Sequence, residues 1–129
     1  MSAGHIATVN AFIGCFKRGD REAGARMLSD DCTIYETAGM PHGGTYAGVA
    51  EIRRLWALMD ELYEHHPEEV EIYDAGPFAV VRQIGHFRAR ATGASVMMPI
   101  VELWWTADNK ITRIEGYYHD PVALRHLTD

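Results

Sequence analysis

The chain has 129 residues, 47% hydrophobic and 23% charged, with 18 Asp and Glu against 12 Lys and Arg for a formal net charge of −6. These proportions exclude a disordered chain, and the length predicts one domain, 1–129, that buries about two-thirds of its unfolded surface. The acidic balance opposes non-specific binding to nucleic acid or anionic membranes, and no apolar run reaches the roughly 18 to 20 residues of a membrane span.

The opening MSAGHIATVN lacks a basic start followed by an apolar stretch, so no signal peptide is expected. Ile6, Val9, Ile13 and Phe16 recur at helical spacing and predict an amphipathic helix over 4–18. Gly19 ends it, and Asp20 caps a short helix to about Leu28. Asp31 to Glu36 alternates with period two, as a strand does. Thr37 to Gly48 holds four Gly and one Pro and reads as an ordered loop. Val49 to about Leu62 is helical, with Ile52, Leu55, Trp56 and Met59 on one face. After Pro67 come strand-like runs at 68–75, 77–92, 95–107 and 110–119, separated by turns at Gly76-Pro77, Thr92-Gly93 and Asp108-Asn109. Asp120-Pro121 opens a last short helix. The order is α+β: one sheet of long antiparallel strands with helices gathered on one face. Bent strongly, such a sheet leaves a cone with a pocket inside. From Asp60 to Asp74 seven acidic residues occur without Lys or Arg. They are either a solvated helix end and strand face, or a site for a metal or cationic partner.

Strand parity puts Glu36 on the face of Cys32 and Ile34. A carboxylate on an apolar face is costly unless paired or functional. Desolvation raises its pKa toward what a general base needs. The alternatives are a solvated strand end or an ion pair with Arg. A two-residue loop at Asp108-Asn109 sets Val101 opposite Gly116 and Leu103 opposite Ile114. One face then carries Met97, Pro99, Val101, Leu103 and Trp105 with Ile114, Gly116, Tyr118 and Asp120. This nearly apolar face is expected under the helices, with the Tyr118 hydroxyl and Asp120 carboxylate as its polar tips; Asp120 also suits a helix N-cap. The other face carries Ile100, Glu102 and Trp104 with Arg113, Glu115, Tyr117 and His119, and reads as a subunit interface with Glu102 near Arg113. A register slip of one residue would move Glu102 into the cavity.

Seven histidines form no His-x-x-x-His pair, and no Cys-x-x-Cys is present, so no metal site is expected. His65 and His66 point to opposite faces if they lie on a strand. His42 follows Glu36 in the loop, as a proton shuttle or substrate contact at a pocket mouth or as an exposed loop histidine. Nucleotide and nucleophile-elbow motifs are missing, so no cofactor is expected. Cys15 and Cys32 read as small buried hydrophobes in a reducing, cytoplasmic setting.

Three stretches carry a family resemblance: Leu28-Ser-Asp-Asp-Cys-Thr-Ile-Tyr-Glu36, Met40-Pro-His-Gly-Gly-Thr-Tyr-Ala-Gly48 and Ile111-Thr-Arg-Ile-Glu-Gly-Tyr-Tyr-His-Asp120. With the order of elements from Ile6 to Leu127, they make the chain resemble the nuclear transport factor 2-like superfamily, which includes ketosteroid isomerase and SnoaL-like polyketide cyclases. The Gly-Gly-Thr-Tyr-x-Gly loop is most similar to the small bacterial SnoaL-like branch. The resemblance implies a cone-shaped α+β barrel, a curved antiparallel sheet packed by three to four helices enclosing a pocket. It matches Glu36 to the isomerase's general base. It sets Phe12 where the isomerase has a tyrosine and Val101 where it has a second acid, which counts against steroid isomerisation. His119 or Asp120 matches the catalytic aspartate of the cyclases. No Arg-x-Asp occurs in 77–107, against epoxide hydrolysis.

The expected site therefore has Glu36 and Asp120 as catalytic carboxylates, in a pocket lined by Tyr118, His42, Tyr46, Trp56, Met59, Val101 and His119. Two classes of function fit: proton abstraction beside a carbonyl in a small hydrophobic or aromatic molecule, or a non-catalytic module for hydrophobic ligands or dimerisation. A homodimer through the outer sheet face is expected in either case.

Overall fold

The structure is a computed structural model that describes residues 4–129. In chain order it contains α1 (His5–Lys17), α2 (Arg21–Arg26), β1 (Leu28–Glu36), β2 (Gly44–Ala47), α3 (Val49–Leu62), β3 (Tyr63–Asp74), β4 (Ala79–Ala89), β5 (Ser95–Ala107), β6 (Lys110–Tyr118) and α4 (Pro121–Leu127). The strands form one curved sheet in the order β2-β1-β6-β5-β4-β3. The sheet does not close, so β2 and β3 are its edges. All pairs are antiparallel except β1 with β6, which is parallel. Among the described residues, no helix is long and apolar enough to cross a membrane.

Local chemistry explains most boundaries. The Asp20 side chain accepts from the Ala23 N–H and caps α2; Asp120 does the same for α4 through Ala123 N–H, with Pro121 at the first helical position. Two elements depart from the sequence reading. The loop 37–48 contains β2, an edge strand that pairs with β1 from Thr33 to Glu36. The strand expected after Pro67 begins at Tyr63 and runs through the proline. An edge strand tolerates Pro because its missing N–H can face solvent.

The β5–β6 hairpin has the expected two-residue turn. Asp108 and Asn109 both have positive φ, 52° and 63°, as a type I′ turn requires. The ladder then breaks: Thr106 pairs with Ile111, but Trp105 pairs with Arg113, leaving Thr112 as the extra residue of a bulge. Beyond it, Glu102 faces Gly116 and Val101 faces Tyr117. The inner face of β5 is thus Met98, Ile100, Glu102 and Trp104, inverted from the expectation.

The core has two clusters. Val9 and Phe12 of α1 and Ile52 and Leu55 of α3 pack on Ile34, Trp104 and Ile114. Tyr63, Phe87, Ile100 and Tyr118 pack beneath Leu124 of α4.

Candidate functional site

A cavity of about 180 Å³ opens where the two clusters meet. Its apolar walls include Phe12, Ile34, Leu55, Trp56, Met59 and Ile100. Trp56 and Met59 come from the inward stripe of α3, as their spacing predicts. The polar groups on its surface are Glu36, Glu102, Gln83 and Tyr118, with His65, His66 and Pro67 also bordering it.

Glu36 ends β1 and is 5% exposed. Its Oε2 is buried with no hydrogen-bond partner. Its register partner on β6 is Gly116, where a Cβ would come 3.3 Å from Glu36 Oε2. The glycine thus leaves the carboxylate its room. Burial pushes the Glu36 pKa up to about 8, the charge of Glu102 adds to the rise, and the nearby Tyr118 hydroxyl opposes it in part. Glu102 is also raised, to about 7, by burial; the indole N–H of Trp104, which donates to Oε1 at 3.1 Å, and the Gln83 amide hold it back.

His42 lies behind the carboxylates rather than at a mouth and has no exposed surface. Its loop is anchored by Gly43 N–H donating to Met40 O and by the Tyr46 hydroxyl donating to His42 O. Nδ1 is 3.1 Å from the Tyr63 hydroxyl, Nε2 is 3.0 Å from that of Tyr118, and Nε2 is 3.8 Å from Glu36 Oε2. Burial, with a smaller contribution from His65, lowers the His42 pKa to about 4. The ring is therefore neutral, and its approach to Glu36 is not an ion pair at neutral pH.

The protonated nitrogen follows from hydrogen-bond satisfaction. Tyr63 is fully buried, and its hydroxyl has His42 Nδ1 as its hydrogen-bond partner. If Nδ1 carried the proton, the buried Tyr63 O–H would have nothing to donate to. Tyr63 O–H therefore donates to Nδ1, Nε2–H donates to the Tyr118 oxygen, and the Tyr118 proton is left for Glu36 or a molecule in the cavity.

Other expected site residues lie elsewhere. Val101 is on the outer face, 37% exposed, because the Thr112 bulge inverts β5. His119 is exposed just beyond β6, where alternation turns it away from Tyr118; its N–H donates to Pro99 O. Asp120 is exposed beyond the strand and is committed to capping α4. Tyr46 is half-buried and supports the His42 loop without lining the cavity. Ile100 and Trp104, expected outside, are in the core. Glu102 is not paired with Arg113, which bonds Glu115 instead. Sequence reasoning placed Glu102 outside by assuming an unbroken ladder. The available signal was in β6, where Ile111 and Ile114 are both buried at a spacing of three, incompatible with strict alternation.

The SnoaL-like domain family matches residues 9–114. An NTF2-like protein from Burkholderia xenovorans has a TM-score of 0.87 to this chain at 23% identity, covering 97% of this chain and 95% of its own. A protein assigned as a polyketide cyclase, from Pseudomonas putida, has a TM-score of 0.74 at 22% identity, with coverages of 87% and 89%. TerC, co-crystallised with polyporic acid, has a TM-score of 0.79 at 25% identity, with coverages of 96% and 97%. No curated protein matches the chain in sequence.

Proposed function

The chain belongs to the SnoaL-like domain family, and we propose that it is a small-molecule pocket protein that moves a proton on a compact hydrophobic carbonyl compound. The observation that carries this reading is the pair of inward-facing carboxylates in one mostly apolar cavity, with one oxygen of Glu36 unpartnered. In this reading Glu36 is the base. Desolvation makes its carboxylate strongly basic, and the charge of Glu102 raises that basicity further, so Glu36 acts in its ionised form, whose share grows as pH rises toward 8. The base takes a proton from the carbon beside the carbonyl. Tyr118, its own oxygen occupied by His42, donates its hydroxyl proton as a hydrogen bond to the developing enolate oxygen. The resulting enol or enolate can be reprotonated, cyclise or eliminate according to the substrate.

Cavity size narrows the ligand. An apolar cavity of about 150 Å³ holds benzene, so about 180 Å³ suits a molecule of single-ring size. The co-crystallisation of TerC with polyporic acid supports an organic molecule as the occupant. The buried free thiols of Cys15 and Cys32 favour a reducing, cytoplasmic setting. The outer sheet face offers a contact for a second copy of the chain. Met97, Tyr117 and Val101 are 65%, 46% and 37% exposed there, and Leu103 and Trp105 share their parity.

The test is deuterium exchange. Small cyclic ketones are incubated with the protein in D₂O, and loss of the proton beside the carbonyl is followed by NMR. The wild type should accelerate exchange and Glu36→Gln should not. Equal acceleration by both would overturn the role of Glu36. Binding with no exchange would favour the alternative, a non-catalytic ligand-binding module.

A further inference from the structure

The outer face of the β3–β4 edge holds a second group of donors, one of which, His66, also borders the cavity. His66 and His86 are directly opposed in the antiparallel ladder. Their rings are stacked, with centroids 4.7 Å apart and planes within 6° of parallel. Glu68, two residues along β3 from His66, meets both: Oε1 is 3.3 Å from His66 Nε2 and Oε2 is 3.1 Å from His86 Nε2. Immediately afterwards the strand is interrupted by a bulge between Glu68 and Glu71, with Glu69 at a φ of 53°. Among the described residues this is the one group of three or more His, Cys, Asp or Glu whose ligand atoms lie within 4.8 Å of one another.

We propose that His66, Glu68 and His86 form a binding site for a borderline divalent cation, zinc above all. Two imidazoles and a carboxylate are donors of the right softness for zinc. Zinc–nitrogen and zinc–oxygen bonds of about 2.0–2.2 Å put neighbouring tetrahedral ligands about 3.3–3.5 Å apart. Both His–Glu separations already approach that spacing, so binding requires chiefly that the two Nε2 atoms draw together. Side-chain rotation can do this, because His66 and Glu68 are more than half exposed and His86 is partly so. Cross-strand pairing supplies two corners of the triangle, and same-face spacing along β3 supplies the third. Three protein ligands leave a fourth tetrahedral position for water or an anionic ligand. In the acidic run from Asp60 to Asp74, Asp60, Glu64 and Glu71 are ion-paired with Arg21, with Arg88 and Arg90, and with Arg82, whereas the Glu68 carboxylate meets the two imidazoles.

The experiment is isothermal titration of untagged, chelator-stripped, full-length protein with zinc chloride in a non-coordinating buffer. One saturable site in the micromolar range is expected. His86→Ala and Glu68→Gln should each weaken it by at least about tenfold, while His126→Ala, on α4 and paired with Asp129, should leave it unchanged. All three substituted residues are at the surface or partly so, and circular dichroism of each variant checks that its fold is retained. No saturable binding by the wild type, or binding undiminished in His86→Ala or Glu68→Gln, would overturn the site.

Discussion

Glu36 and Glu102 are register partners of the same residue, Gly116, one from β1 and the other from β5. Neighbouring strands are about 4.8 Å apart, so two carboxyl-bearing side chains rise into one cavity from backbones about 10 Å apart, across a residue with no side chain of its own. Each carboxylate is desolvated, and Glu102 contributes to the raised pKa of Glu36. The chemistry proposed here rests on that arrangement.

Replacing Glu36 by Gln should separate binding from turnover. The amide keeps the shape of the side chain but cannot accept a proton, so activity should fall by at least about a hundredfold, within the usual contribution of a general base. Ligand affinity should change by less than about tenfold. Kinetics and calorimetric binding on the same preparation check this; parallel loss of binding and turnover would point to a structural role for Glu36.

Tyr63→Phe tests the hydrogen-bond chain. It removes the donor to His42 Nδ1 and leaves a buried polar nitrogen unpaired. The expected cost is about 1–3 kcal/mol in urea unfolding. Because His42 then loses the contact that fixes its tautomer, the Tyr118 proton is no longer directed forward, and turnover should fall as well. A variant as stable as wild type would contradict the buried Tyr63–His42 hydrogen bond.

Stability should decline on both sides of a mildly acidic optimum. Glu36 and Glu102 have folded pKa values raised above the ordinary 4.5, to about 8 and about 7. The fold favours their protonated forms, so their contribution is complete below about pH 4.5 and is lost as pH rises toward 8. His42 is lowered from 6.5 to about 4, so its contribution is complete above pH 6.5 and is lost as pH falls toward 4. Above 6.5 only the carboxylates act among these three groups, and thermal melts should show Tm falling from pH 6.5 to 8. Glu36→Gln should flatten that limb. A Tm that is constant or rises over this interval would conflict with buried, raised carboxylates.

The proposed contact with a second copy gives a further prediction. Sedimentation at micromolar concentration should show twice the chain mass of 14.5 kDa, and Val101→Lys, which puts a charge in the exposed apolar patch, should shift the population toward monomer. A wild-type mass near 14.5 kDa would remove this assembly.

The fold was legible because most of its signals are local. The Asp20 and Asp120 caps, the α3 stripe, the Asp108-Asn109 turn and the inward parity of Cys32, Ile34 and Glu36 all depend on neighbours in sequence. The site was only half legible because its second half depends on one bulge. Strand β5 is apolar on both faces, Met98, Ile100 and Trp104 inside and Met97, Val101 and Leu103 outside, so alternation could not choose between them. Thr112 decides, and a one-residue shift exchanges Val101 for Glu102. His42 was legible as a residue near Glu36 but not as a buried one, because its partners Tyr63 and Tyr118 come from strands 21 and 76 residues away. The zinc-ligand candidates were hidden for a similar reason: His66 and His86 meet only through the β3–β4 register.

The most direct measurement of the central claim is an NMR titration of the side-chain carboxyl carbons, assigned by comparison with Glu36→Gln and Glu102→Gln. The Glu36 carboxyl should titrate near pH 8 in the wild type. In Glu102→Gln it should move down, because a like charge is gone, yet stay above 4.5, because burial is the larger cause. A Glu36 carboxyl that titrates at or below 4.5 in the wild type would contradict a desolvated base in this cavity.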